Sequence, residues 1–235
     1  MRKGGITLAK TNTGLVDYAR SQLGRPYWYG TFGNRATESL LYAKKEQYPA
    51  HYQDTRMPKY KSEIGYRVHD CVGLIKGYLW SENADSAPKY NESQDVSANG
   101  MLKVCREKGR IHTLPEIPGI LVFRSGHVGI YIGGGKVIEA RGYNYGVVET
   151  ELKERNWQNW GKCPWIEYPS EKRYFKSCSQ DEVSIVDALK SIGENSGFAY
   201  RKKIAAANSM AGYVGTPKEN IKMLSLLRRG LLIKP

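Results

Sequence analysis

Apolar side chains at 71, 74, 75, 78 and 79 fall on one stripe at helical spacing, which predicts an amphipathic helix beginning at Cys71 and facing a core. Upstream, Leu15, Val16, Ala19 and Leu23 form a similar stripe that Gly24 ends, and a further helix is predicted near 36–46. Asp95 is placed to cap a helix running through Cys105 and stopping at Gly109. Beyond Ile117-Pro118-Gly119 the period changes to two, and strands are predicted at 120–123, 127–132, 136–141, 146–150 and 163–168. Helices followed by strands predict an α+β domain over 1–169. A basic segment over 170–180, with Lys172, Arg173 and Lys176, reads as a linker. Over 181–235 three short helices are predicted: Val183, Val186, Leu189 and Ile192 mark the first, and Phe198 to Ala207 the second. The third opens on Thr216-Pro217-Lys218-Glu219, a capping box with proline at the first helical position, and ends at Arg228-Arg229-Gly230.

Two strands flank Gly133-Gly134-Gly135 and read as a hairpin. His127, Gly129 and Tyr131 share one face of the first strand; Val137, Glu139 and Arg141 share one face of the second. With all three glycines in the loop, His127 lies opposite Arg141 and Glu139 is diagonal to it. With Ile132-Gly133-Gly134 as the loop, His127 lies directly opposite Glu139. Either register places imidazole and carboxylate on one face within side-chain reach.

Cysteine, histidine and carboxylate in this order form the set used in thiol catalysis: a nucleophile, a base, and a group that orients the base. A helix N-terminus at Cys71 would favour thiolate through its free N–H groups and dipole. Taken singly, a cysteine heading a helix stripe is a small buried hydrophobe and a histidine on a strand is structural; their joint occurrence with Glu139 in register reverses that balance. Asp70 has an alternative role as an N-cap, and Pro26-Tyr27-Trp28-Tyr29-Gly30 could pack a turn. His69 brings zinc to mind, but no Cys-x-x-Cys or His-Glu-x-x-His spacing accompanies it.

Pro26-Tyr27-x-x-Gly30, then Asp70-Cys71-x-Gly73-Leu74, then Gly126-His127-Val128-Gly129-Ile130-Tyr131-Ile132-Gly133, then a polar residue twelve positions after the histidine, resembles the NlpC/p60 cell-wall cysteine peptidases over most of 14–168. The resemblance implies a papain-like fold, with N-terminal helices packed on an antiparallel sheet, and cleavage of peptidoglycan stem peptides, commonly at a D-Glu to diamino-acid bond. It implies Cys71 as nucleophile, His127 as base and then acid, and Glu139 as orienter. It places Tyr27, Asp70 and Trp28 on the substrate side, and implies no metal or organic cofactor. The chain departs from the pattern at Val72, where the family usually has Ser, and at Glu139, where it more often has His. It also carries about thirty extra residues between Gly33 and Asp70. An N-acetylmuramoyl-L-alanine amidase with the same triad, and a non-catalytic wall-binding protein, are the alternatives.

The 235 residues carry a net charge of +13, which suits anionic wall polymers as partners through long-range attraction. Nucleic acid would be drawn equally, yet no RNP, helix-turn-helix or zinc-finger pattern is present, so none is expected as partner. Four cysteines at 71, 105, 163 and 178 lack the spacing of a disulfide scaffold. No stretch approaches a membrane span, and the N-terminus leads into no apolar h-region. A wall hydrolase without a signal peptide needs another exit, or part of its sequence has been removed; the first case resembles phage and prophage endolysins, which accumulate in the cytoplasm until a holin opens the membrane, and otherwise an extracellular location is expected. The last 55 residues look like the small wall-binding modules of such lysins, the alternative being a helical cap or weak dimerisation element.

Overall fold

The computed structural model describes residues 10–168, 174–210 and 212–235. In chain order the elements are α1 (Asn12–Ser21), β1 (Phe32–Arg35), α2 (Glu38–Gln47), α3 (Met57–Ser62), β2 (Arg67–His69), α4 (Gly73–Trp80) and α5 (Ala98–Val104). Then come β3 (Lys108–Arg110), β4 (Leu121–Arg124), β5 (His127–Gly133), β6 (Lys136–Gly142), β7 (Gly146–Glu151), β8 (Asn159–Gly161), α6 (Ile185–Ser191), α7 (Phe198–Ala207) and α8 (Pro217–Arg228). The architecture is α+β, and the chain divides into two compact units, Met1–Pro169 and Ser170–Pro235.

The first unit is organised by a six-stranded antiparallel sheet in the order β3-β8-β4-β5-β6-β7. Strand periodicity sorts its side chains onto two faces. Val128, Ile130, Ile138, Ala140 and Val147 join Leu15, Ala19, Leu74 and Ile75 in the main core, so α1 and α4 cover one face. Val122, Tyr131, Val137 and Trp157 form a smaller cluster on the other. Burial of each large apolar side chain contributes about 1.5–3 kcal/mol relative to exposure, which makes the sheet the rigid part of this unit.

The β5–β6 hairpin selects between the two registers left open by the sequence. Ile130 pairs with Ile138 and Tyr131 with Val137, so His127 falls opposite Arg141 and Glu139 is diagonal to it. The connection differs from both expected loops. Gly134 and Gly135 form a two-residue turn with both φ positive, 59° and 73°, and an irregularity between Tyr131 and Gly133 restores the phase.

Further expectations need correction. Asp95 does not cap α5: Ser97 does, accepting from the Gly100 amide, while Asp95 bridges Lys76 at 2.5 Å. The strand expected at 163–168 is absent, because Tyr168 Oη occupies the Cys163 amide; the ladder closes instead through β8. The linker expected at 170–180 overlaps residues 169–173, which lie outside the described residues. Its remainder is no free linker, since Phe175 and Cys178 are buried in the core of the second unit and Tyr174 pairs with Ile233.

The second unit packs α6, α7 and α8 around Leu189, Ile204, Ala205, Met223, Leu224 and Leu227. The capping box at Thr216 and Glu219 is formed, as the residue types require. On α6 the buried positions are Ile185, Ala188 and Leu189, and Val183 is 87% exposed, so the stripe read from Val183 is displaced. Among the described residues no helix is long and apolar enough to cross a membrane.

Candidate active site

Cys71 lies in the turn that leads into α4, two residues before the helix. Its neighbours fix this turn. Asp70 Oδ1 accepts from the Gly73 amide at 2.6 Å and Oδ2 from the Gly30 amide at 2.9 Å. A carboxylate so held ties the start of α4 to the Gly30 turn and fills the capping role considered for it. Gly73 is demanded by close approach: a Cβ there would stand 1.8 Å from the Thr31 carbonyl oxygen. The amides of Cys71 and Val72 donate to no oxygen acceptor among the described residues and lie beside the Cys71 sulfur, which places them where a negative charge at the site can be met.

His127 opens β5, one residue after the loop whose Gly126 carbonyl oxygen is 4.0 Å from Cys71 Sγ. Its Nε2 meets Glu139 Oε2 at 2.6 Å. Glu139 is 0% exposed and fully engaged. Thr150 Oγ1 donates to Oε1 at 2.9 Å, and Arg155 grips both oxygens, Nε to Oε1 at 2.9 Å and Nη2 to Oε2 at 3.0 Å. Burial alone would push this carboxyl up, but the hydrogen bonds from His127 and Arg155, the His127 charge and the Thr150 bond outweigh it and hold the carboxyl at about 2. Trp157 lies nearly parallel to the imidazole, with ring centroids 5.6 Å apart and planes at 15°. The ring nitrogen bonded to Glu139 is thereby fixed, leaving the other for a proton.

Burial, and then the Asp70 carboxylate, push the Cys71 thiol up to about 12; the Val128, Val72 and Cys71 amides pull the other way and lose. This reverses the thiolate expected from the helix terminus alone. The start of α4 is walled by packed side chains, and a buried carboxylate next to the sulfur opposes a second negative charge. At rest the sulfur makes no hydrogen bond to the imidazole among the described residues, a looseness common before substrate arrives. The arrangement suits a neutral thiol deprotonated in the course of attack.

Of the expected residues, Cys71, His127, Glu139 and Asp70 are brought together. Tyr27 joins them: it is half-buried against the main core, and burial, then Cys71 and Asp70, push its phenol up. Its hydroxyl bonds no protein group among the described residues. Trp28 does not belong on the substrate side. It is 0% exposed, donates through Nε1 to Glu63 at 2.7 Å, and packs edge-on against both Tyr52 and Tyr60 in a separate core built by the inserted segment. His69 is buried and bonded to Gln22, with burial pushing its imidazole down to about 3.

Arg155, Thr150 and Trp157 were missed by sequence reasoning. Thr150 carried a usable signal, since it sits across from Val137 in β7, on the face that holds Glu139. Arg155 and Trp157 follow β7 in irregular chain, where no periodicity directs a side chain.

An open cavity of about 600 Å³ begins at Cys71. The Gly30 turn, Asp70 and Gly126 line its floor, α2 contributes Lys44 and Gln47 with Tyr48 just after, and Asp95 and Asn99 line the opposite side. The inserted segment thus forms one wall of the groove.

A family profile described as NlpC/P60 family matches residues 24–165, more than half of the chain. No curated protein matches the sequence. Among solved structures, the peptidoglycan hydrolase RipB from Mycobacterium tuberculosis is similar at 16% identity and TM-score 0.39, covering 67% of this chain and 65% of that one. NlpC1 from Trichomonas vaginalis is similar at 17% identity and TM-score 0.38, covering 68% and 47%. A P60 domain of an antigen from M. avium subspecies paratuberculosis is similar at 17% identity and TM-score 0.40, covering 67% and 96%. The chain therefore spans under two thirds of the RipB and NlpC1 chains.

Proposed function

Because the chain belongs to the NlpC/P60 family, we propose that it is a peptidoglycan hydrolase that cuts stem peptides by a Cys71–His127–Glu139 thiol mechanism. The observation that carries this reading is the closed relay of His127, Glu139 and Arg155, set beside a cysteine that opens onto a groove. A buried carboxylate already gripped by three hydrogen bonds from Thr150 and Arg155 has no structural need of a histidine as well; holding an imidazole in one tautomer gives it a use.

The steps follow from the geometry. Cys71 Sγ attacks the peptide carbonyl carbon while the free nitrogen of His127 takes the thiol proton, so the high resting position of the thiol is met by transfer during attack. Glu139 then stabilises the imidazolium. The carbonyl oxygen becomes an oxyanion, for which the unoccupied Cys71 amide is the first donor. His127 returns the proton to the leaving amine as the C–N bond breaks, leaving a thioester. Water, deprotonated by the same imidazole, releases the acid and restores the thiol.

The finer reading is an endolysin-type D,L-endopeptidase acting between D-Glu and the diamino acid, supported by the motif string around Cys71 and His127. Anionic wall polymers are its partners by charge, with the second unit as a wall-binding module; residues 181–235 carry nine Lys and Arg against five Asp and Glu. Mass spectrometry of muropeptides after digestion of purified walls with the full chain tests this. New termini at D-Glu and the diamino acid are expected. New L-Ala N-termini would make the protein an amidase, and an unchanged muropeptide profile would leave only a wall-binding protein.

A further inference from the structure

The groove carries charges that the thiol mechanism does not use. Lys76 is bridged to Asp95 at 2.5 Å, and both Asp70 oxygens are taken by backbone amides. Lys44, on the wall built by the inserted segment, is the one groove-lining cation without a carboxylate partner among the described residues. It is half-buried, its Nζ donates only to Gln47 Oε1 at 2.8 Å, and its ammonium lies 5.4 Å from the centre of the Tyr48 ring. A cation partly removed from water and turned toward a cavity, hydrogen-bonded only to a neutral amide and acted on by the Asp70 and Asp95 charges without bridging either, retains donors for an anion.

The wall that carries it is fixed to the catalytic turn. Gly30 has φ of 73°, and a Cβ there would stand 2.5 Å from the Tyr48 ring, so α2 seats directly on the Gly30 turn. The Gly30 amide in turn bonds Asp70, the neighbour of Cys71. Tyr29 packs edge-on against Tyr48 at 5.0 Å, and Tyr52 Oη donates to the Tyr29 carbonyl oxygen at 2.7 Å. The wall that carries Lys44 is thereby tied to the turn that carries the nucleophile. Val72, the residue after it, is mostly buried and offers no side-chain hydrogen bond.

We propose that Lys44 is a specificity-determining residue that binds a free carboxylate on the acyl side of the scissile bond, so that the substrate is the unamidated, anionic form of the stem peptide. This rests on the stem-peptide reading of the Cys71 site. The carboxylate meets Lys44 Nζ, with Gln47 holding the ammonium in place and Tyr48 limiting its motion.

The test uses the full chain and two synthetic tripeptides, L-Ala-γ-D-Glu-diaminopimelate and the same peptide with the D-Glu α-carboxylate converted to carboxamide. Cleavage is followed by mass spectrometry for kcat and KM. The wild-type chain should prefer the carboxylate form in kcat/KM by about tenfold to a hundredfold, the range of one charge-assisted hydrogen bond. Lys44→Gln should remove that preference by raising KM for the carboxylate form while leaving the carboxamide form unchanged, and Lys44→Arg should restore most of it. Lys44 is on the surface of α2, so circular dichroism of both variants should match the wild type. An equal fall for the two peptides in Lys44→Gln, or no fall for either, would overturn the assignment while leaving the thiol mechanism standing. A wild-type chain that cuts neither peptide would remove the stem-peptide reading and this inference with it.

Discussion

The two sides of the groove are built in opposite ways. On the sheet side, His127, Glu139, Thr150 and Arg155 form a closed and buried set in which each carboxylate oxygen is bonded twice. On the inserted side, Lys44, Gln47 and Tyr48 stand half-exposed or exposed, and Lys44 is bonded only to its helical neighbour. The first keeps a single free position, the second ring nitrogen of His127, and serves to position a proton. The second has spare capacity and no carboxylate bridged to Lys44 among the described residues, as a binding surface requires. The proton relay is held by the rigid sheet, and selectivity is carried by a segment outside it that is tied to the catalytic turn through Gly30.

If that division is correct, damage on the sheet side should appear in kcat and stability. Glu139→Gln should lower kcat by about a hundredfold or more with little change in KM, since the amide still accepts from the imidazole but no longer stabilises its charge. Wild-type turnover in Glu139→Ala would break the comparison at its centre, because the relay would then lie elsewhere.

Removing the other grip on Glu139 should cost stability. Arg155→Met leaves a buried carboxylate short of its cation, at about 3–5 kcal/mol, readable in urea midpoints. The pH dependence sharpens this. Glu139 titrates at about 2 in the fold against 4.5 as its ordinary value, so its contribution is complete above about 4.5 and disappears as pH falls toward 2. In Arg155→Met the carboxyl should rise, and less stability should be lost over the same window. An unchanged acid-unfolding profile would mean that Arg155 does not hold Glu139.

A smaller effect is expected from Gly129→Ala. The new Cβ would stand 2.6 Å from Val137 Cγ1 and 2.9 Å from the Trp157 ring. Moving Trp157 disturbs the ring stacked on His127, so the loss should be about 1–3 kcal/mol in stability with a fall in kcat. A change confined to KM would place Gly129 on the binding side and blur the division.

The same contrast explains what could be read in the sequence. Cys71, His127 and Glu139 were legible because helix and strand periods force their placement, and α7 and the α8 capping box were legible from local residue types. The register of the β5–β6 hairpin was not, since an irregularity at Ile132 separates loop length from phase. The Pro26–Gly30 motif puts Trp28 on the substrate side by association, but only Tyr29 and Gly30 of that segment line the groove, and Trp28 turns the other way into a core that exists only through the inserted segment. Arg155 and Lys44 could not be found by period, because one lies in irregular chain and the other depends on how α2 packs against Gly30. The rise of the Cys71 thiol was illegible for a similar reason: the sequence displays a helix start, but only packing reveals the burial and the adjacent Asp70 charge.

The smallest expected effect on chemistry is removal of the second unit. A chain ending at Pro169 should cut small soluble muropeptides at the full-length rate, since every residue of the relay precedes that point, but should clear intact walls more slowly, with the difference shrinking as salt rises. Equal clearance of walls by both chains at low salt would assign the second unit some role other than wall binding.

The most direct measurement is release of soluble fragments from purified peptidoglycan by Cys71→Ala beside the wild-type chain, with circular dichroism recorded on both. Replacing the half-buried thiol with a methyl group removes the nucleophile and little packing, so the variant should keep the wild-type spectrum and release nothing above background. Hydrolysis at the wild-type rate by the folded variant would contradict Cys71 as the nucleophile.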